Sequence, residues 1–120
     1  MADPRELLLE DGRSQDFDWG TIEWLSNGEI HPGAELTFGK VRIEPGRSNP
    51  VHSHPNCEEI LYVVSGACEH SCDGKWVAME AGDSIRVPRG VRHNAINKGD
   101  ELVHMLVCYS APDRETVAHG

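Results

Sequence analysis

Apolar and polar positions alternate along most of this chain in short runs, and each run stops at turn-forming residues. "TIEWL" ends at "SNG", "ELTFGKVRIE" at "PG", "EILYVVS" at Gly66 and "ACEHSC" at "DG". "KWVAM" then ends at "EAGD", "SIRV" at "PRG" and "ELVHMLVCY" at "SAPD". A period of two sends successive side chains to opposite faces of a strand. Seven such runs, with turn signals about every dozen residues, predict one antiparallel all-β sandwich or barrel. The segment "CDGKW" predicts a tight hairpin turning on Asp73 and Gly74.

The only helix signal lies at the start. Asp3 has the character of an N-cap and Pro4 of a first helical residue, so "PRELLLEDG" predicts one short helix ending near Gly12. Residues 11–18, "DGRSQDFD", show no periodicity and are read as an arm or loop. The chain therefore divides into an N-terminal arm or short helix, 1–18, and a single β-barrel domain, 19–120, without repeat or linker.

Composition narrows the function classes. With 120 residues and 38% hydrophobic content the chain supports one domain with a modest core. Eleven basic against 20 acidic residues leave a formal charge of −9, which argues against nucleic-acid or anionic-membrane binding. No apolar run approaches the roughly 20 residues of a membrane span, and "MADPRELLLEDG" lacks the basic start of a signal peptide. The expected location is cytoplasmic. Cys57, Cys68, Cys72 and Cys108 form no CxxC pair. Cys68 and Cys72 share a strand face but stand about 13 Å apart, too far for a disulfide, so all four are expected to be reduced.

The chemistry concentrates in "PVHSHPNCEEILYVVSG", residues 50–66. His52 and His54, at i and i+2, share a strand face with Cβ atoms about 7 Å apart, a spacing that lets two imidazoles converge on one ion. In a regular strand from Glu59, residues Glu59, Leu61 and Val63 face one way and Ile60, Tyr62 and Val64 the other. A carboxylate among inward apolar neighbours needs a partner, because a lone buried charge is expensive. A metal ion is such a partner. Alternation turns Glu58 away, toward solvent. A second segment, "GDSIRVPRGVRHNAIN", sets His93 just after a Pro-Arg-Gly reversal.

Together the two segments resemble the paired motifs of the cupin superfamily. The first motif is matched by Gly46, five residues, His52, one, His54, four, Glu59, six, Gly66. The second is matched by Gly82, five residues, Pro88, one, Gly90, two, His93, three, Asn97. The stretch between them, Ala67 to Ala81, has the short length of small single-domain microbial cupins. The resemblance implies a double-stranded β-helix, or jelly-roll, barrel with the motifs on facing strands. It also implies that His52, His54, Glu59 and His93 ligate a metal and that Asn97 is structural. Three imidazoles and a carboxylate suit a divalent transition ion, Fe, Mn, Co, Ni, Cu or Zn, and the donor set does not choose among them.

Other residues receive less specific expectations. Cys57 reads as a small loop residue, Tyr62 as an outward side chain remote from the metal, and His104 as a core histidine. His104 and Cys108 share a strand face that, by resemblance, includes pocket positions. His31, His70 and His119 are expected to be exposed. Arg47, Arg89 and Arg92 flank the metal segments as candidate contacts for an anionic substrate, and Trp19, Trp24 and Trp76 are expected in the core or an interface.

No catalytic base or organic cofactor is assigned. The resemblance implies a metal-dependent enzyme acting on a small oxygen-rich substrate, in first place a dioxygenase. The alternatives are a metal-dependent lyase, isomerase or cyclase, and a non-catalytic sugar- or effector-binding module. The tail "CYSAPDRE" loosely resembles that of small cupins that linearise unsaturated uronic acids, with Arg114 matching an arginine of that group. Those proteins, however, carry an acid at Cys108 and a glutamine at Glu59. The outward face of Ile60, Tyr62 and Val64 predicts a homodimer.

Overall fold

The seven alternating runs all become strands, and four further strands join them in the computed structural model, which describes residues 3–9 and 12–119. In chain order the strands are β1 (Arg13–Phe17), β2 (Gly20–Ser26), β3 (Thr37–Ile43), β4 (His52–Ser53), β5 (Glu59–Ser65) and β6 (Ala67–Cys72). They continue as β7 (Lys75–Glu80), β8 (Ser84–Val87), β9 (His93–Ile96), β10 (Val103–Tyr109) and β11 (Val117–Ala118). All pairings are antiparallel. One sheet has six strands in the order β1-β2-β3-β10-β5-β8, and the other five in the order β11-β4-β9-β6-β7.

The alternation in sequence becomes the inside and outside of this two-sheet barrel. On β3 the buried positions are Thr37, Gly39, Val41 and Ile43, and on β10 they are Val103, Met105, Val107 and Tyr109. β5 adds Glu59, Leu61 and Val63, while the opposing sheet supplies Cys68, Met79 and Ala95 to the same core. Burying a side chain the size of Val63 or Ile43 stabilises the fold by about 1.5–3 kcal/mol. A one-residue slip of any of these strands would exchange that apolar face for the polar one.

Turn chemistry sets the register. Asp73 and Gly74 both take positive φ, +51° and +79°, and bring Cys72 opposite Lys75, as the Asp-Gly hairpin requires. Gly66, at φ +81°, lies so close to β10 that an added Cβ would stand 2.6 Å from the Leu102 carbonyl oxygen, so the crossing from β5 to β6 admits no side chain. Asn97 is fully buried and has the structural role expected of it. Its amide donates to the carbonyls of Ile43 and Glu101 (2.9 and 2.7 Å), and its Oδ1 accepts from Gly99 N.

The N-terminal region departs from expectation. The predicted helix is one 3₁₀ turn, Pro4–Leu7, capped by Asp3, whose carboxylate accepts from Arg5 N at 3.0 Å. None of its residues is buried, so no packing prolongs it, and short helices without tertiary contacts are marginal. The expected end near Gly12 falls beside residues 10–11, which lie outside the described residues. Residues 13–17, expected as arm or loop, form β1 and pair with β2 from Arg13–Trp24 to Phe17–Gly20. The strand carries no alternation because it is an exposed edge with neither face buried. No described helix is long and apolar enough to cross a membrane.

Candidate metal centre

β4, β5 and β9 carry His52, His54, Glu59 and His93 to one end of the barrel. His52 pairs directly with His93 across β4 and β9, and His54 follows β4 by one residue. Glu59 opens β5 in the opposite sheet and points inward at 3% exposure. One donor atom from each of the four lies within 4.8 Å of the others. The imidazole centroids are 4.9 Å apart for His52–His54, 4.2 Å for His52–His93 and 5.1 Å for His54–His93.

The backbone orients all three rings alike. His52 Nδ1 lies 2.8 Å from the Pro50 carbonyl, His54 Nδ1 2.9 Å from that of Glu115, and His93 Nδ1 3.0 Å from that of Val91. A carbonyl can only accept, so each Nδ1 donates its proton and each Nε2 presents a lone pair. His93 Nε2 stands 3.0 Å from Glu59 Oε1. His54 Nε2, 3.4 Å from the same oxygen, is buried without a hydrogen-bond partner. Lone pairs thus converge from three imidazoles and a carboxylate, which is repulsive unless protons or a cation lie between them. The donor set and the orphaned His54 Nε2 fit a divalent metal ion.

Electrostatics agree. Burial raises the Glu59 carboxyl, but the facing His54 and His93 outweigh it and hold the group well below the usual carboxylate range. Burial, with the charge of His93, lowers His52 to about 4. Burial also opposes the charged form of His93, yet its bond to Glu59 prevails and raises it. Glu58 turns outward and pairs with Arg86 at 3.0 Å.

Beside the cluster lies a cavity of about 260 Å³. Trp19, Ile22, Val41, Leu61, Met105 and Val107 form its apolar wall, and His52, Glu59 and His93 stand at its polar end. This volume is just below the roughly 300–1,000 Å³ of pockets for drug-sized ligands. A cavity of this size admits only a small molecule.

Several other expectations are revised. On β10, Met105, Val107 and Tyr109 face the cavity, whereas His104 and Cys108 belong to the half-buried outer face, so His104 is not a core histidine and Cys108 does not line the pocket. The register decides this, because Tyr109 pairs with inward Glu59. Tyr109 was missed as a site residue. It ends the Val-Met-Val-Tyr face of its run, and that apolar series is the sequence signal for it. Its ring packs edge-on against His54 at 5.0 Å, and burial, then the charge of Glu59, raises its phenol well above the ordinary value. Tyr109 therefore stays protonated.

His70, expected to be exposed, is 1% exposed, lines the cavity and stacks on His93 with centroids 5.7 Å apart and planes 17° apart. His31 and His119 are half-buried and partnered by Ser26 and Ser53. Arg47, Arg89 and Arg92 are exposed and outside the cavity, and the arginine in its wall is Arg114. The Arg114 guanidinium lies 4.6 Å over the Trp24 ring and 5.0 Å over that of Tyr109 and donates to Thr116 Oγ1 at 2.6 Å, without a carboxylate partner among the described residues. Cys57 is a core residue whose thiol burial raises, which disfavours the reactive thiolate. Trp19 and Trp24 are in the core, but Trp76 is half exposed. The four cysteines are free thiols, as expected.

Comparison with known proteins agrees with this architecture. The chain is 31% identical over 103 residues to germin-like protein 3-8 of Oryza sativa subsp. japonica, covering 79% of this chain and 46% of that protein. It is 36% identical over 75 residues to polyketide synthase CurC of Streptomyces cyaneus, covering 62% and 49% respectively. The chain thus spans about half the length of these curated relatives. The Lactobacillus farciminis oxalate decarboxylase in its formate complex superposes with a TM-score of 0.82 at 24% identity, covering 89% of this chain and 33% of that one, a likeness of fold. The sequence profile of the cupin domain matches residues 39–109, a segment that opens in β3, carries all four converging residues and ends on Tyr109, and the chain belongs to the cupin family.

Proposed function

We propose that this protein is a metal-dependent enzyme acting on a small, oxygen-rich, anionic substrate, in first place as a dioxygenase. The observation that carries this reading is the convergence of three commonly oriented imidazoles and Glu59 at the polar end of a small apolar cavity. His52, His54, Glu59 and His93 would hold the ion, which supplies Lewis acidity and, if redox-active, electrons to dioxygen. The chain's own residues do the rest. Nδ1–H bonds to Pro50, Glu115 and Val91 keep the rings aimed. The apolar wall excludes water, and the Arg114 guanidinium, without a carboxylate partner among the described residues, receives an anionic oxygen. The Tyr109 O–H remains a donor beside the carboxylate.

The test is oxygen consumption by the Fe(II)- and Zn(II)-loaded protein with a catechol or a β-dicarbonyl such as acetylacetone. Turnover with iron and none with zinc is expected, since zinc has no redox chemistry. Equal turnover with both would move the assignment to a second reading: a lyase, isomerase or cyclase. That reading is supported by the protonated Tyr109 at the site and by similarity to a protein named as a polyketide synthase. Tight binding without turnover under either metal would leave a non-catalytic binding module. We further propose a homodimer packed through the outer face of β5, where Ile60 and Tyr62 are each 43% exposed.

A further inference from the structure

Within the cavity wall one buried polar side chain makes only a weak polar contact with the fold. His70 sits on β6, opposite Ala95 of β9, and its ring is parallel to that of His93. Its one polar contact among the described residues is weak: the Cys72 sulfur lies 3.8 Å from Nδ1. Nε2 has no protein partner among them. The donor atoms of His52, His54, Glu59 and His93 form the tight group, and His70 stands outside it, one ring beyond His93.

The ring lines the cavity and, apart from that sulfur contact, makes no hydrogen bond to the fold among the described residues. A neutral imidazole carries one donor and one acceptor nitrogen, so the ring can bond either kind of oxygen. Its Nε2 is therefore free to bond what enters the cavity.

We propose that His70 is a substrate-contacting residue: its ring hydrogen-bonds an oxygen of a molecule whose other oxygens face the metal cluster. The inference rests on the metal-dependent reading above. It narrows the substrate class to molecules longer than a bare chelate, with a hydroxyl, carbonyl or carboxylate oxygen beyond the chelating pair. Oxalate has no such extension. 4-Nitrocatechol has one, because its nitro oxygens project past the ring that bears the chelating pair.

Two measurements on the full chain decide it. In the metal-free protein, His70→Phe and His70→Leu should melt within about 3 °C of wild type, because His70 makes only a weak polar contact with the fold. In the Zn(II)-loaded protein, calorimetry should show 4-nitrocatechol binding at least tenfold weaker to His70→Phe than to wild type. His70→Gln should restore it to within about threefold, while oxalate and Zn(II) affinities stay unchanged in all variants. Melting points lower by more than that, or loss of folding, in both the Phe and Leu variants would make His70 a structural residue and overturn the proposal. Equal 4-nitrocatechol affinity in wild type and His70→Phe would overturn it while leaving the metal-dependent reading intact. Wild-type protein that takes up zinc but binds neither probe would sink both.

Discussion

Glu59 on β5 and Tyr109 on β10 face each other directly across the strand pair, both turned inward and 3% and 4% exposed. Two acids so placed cannot both ionise cheaply. Glu59 takes the charge, facing two imidazoles, and Tyr109 keeps its proton. For Tyr109→Phe the dioxygenase reading expects turnover to fall by less than about tenfold, with metal affinity nearly unchanged. A loss of about 10²–10⁴-fold in kcat would instead mark the phenol as a general acid and favour the lyase or cyclase reading. Steady-state kinetics of the metal-loaded variant separate the two.

Adjacent carboxylates make a second test. Glu59 faces the three imidazoles, while Glu58 pairs with Arg86 at the surface. Glu59→Ala should weaken metal binding by at least about tenfold and remove most of the metal-dependent rise in Tm, since an ion that binds only the folded state stabilises it by mass action. Glu58→Ala should change stability by no more than about 0.5 kcal/mol. Titration calorimetry showing the reverse order would refute the ligand assignment.

Thr116 links two parts of the site. Its hydroxyl oxygen accepts from Arg114 at 2.6 Å and lies 3.3 Å from His54 Nδ1. Thr116→Val keeps the shape and deletes both contacts. Metal affinity is expected to fall about tenfold, at the lower end for a residue supporting a ligand histidine. An unchanged affinity would show that the Glu115 carbonyl alone orients His54.

The metal-free protein should lose stability on mild acidification. His52 and His70 are both lowered to about 4 by burial, whereas an unfolded chain's histidines titrate near 6.5. Between those values the unfolded state binds more protons, so stability rises with pH across the window and is lost as pH falls toward 4. His93, raised, contributes with the opposite sign, and Glu59 affects only lower pH. The urea midpoint at pH 5 should lie below that at pH 7.5, and His70→Phe should flatten the difference. A midpoint that rises on acidification would contradict the buried, neutral state of these rings.

Association is the last test. Sedimentation should show a dimer at micromolar concentration, and Tyr62→Glu, which charges the exposed face of β5, should weaken it while leaving the circular dichroism spectrum intact. A monomeric wild type would remove the dimer from the account.

Features that depend on local periodicity were legible in the chain itself. Alternation along β5 separates Glu59 from Glu58 and Leu61 from Tyr62, because neighbouring side chains on a strand must part. Asp73-Gly74 specifies its hairpin, since both residues tolerate positive φ. Which of two faces turns inward is another matter. On β10 both faces hold apolar residues, and pairing with β3 and β5 selects Met105, Val107 and Tyr109 over His104 and Cys108. β1 has no periodicity to read and exists because β2 offers a free edge. His70 lacks a motif partner in sequence; pairing of β6 with β9 stacks it on His93 and turns it into the cavity. Arg114 reaches the same cavity from the segment that leads into β11, through rings on β2 and β10. These placements arise from contacts distant in sequence, which a local pattern does not encode.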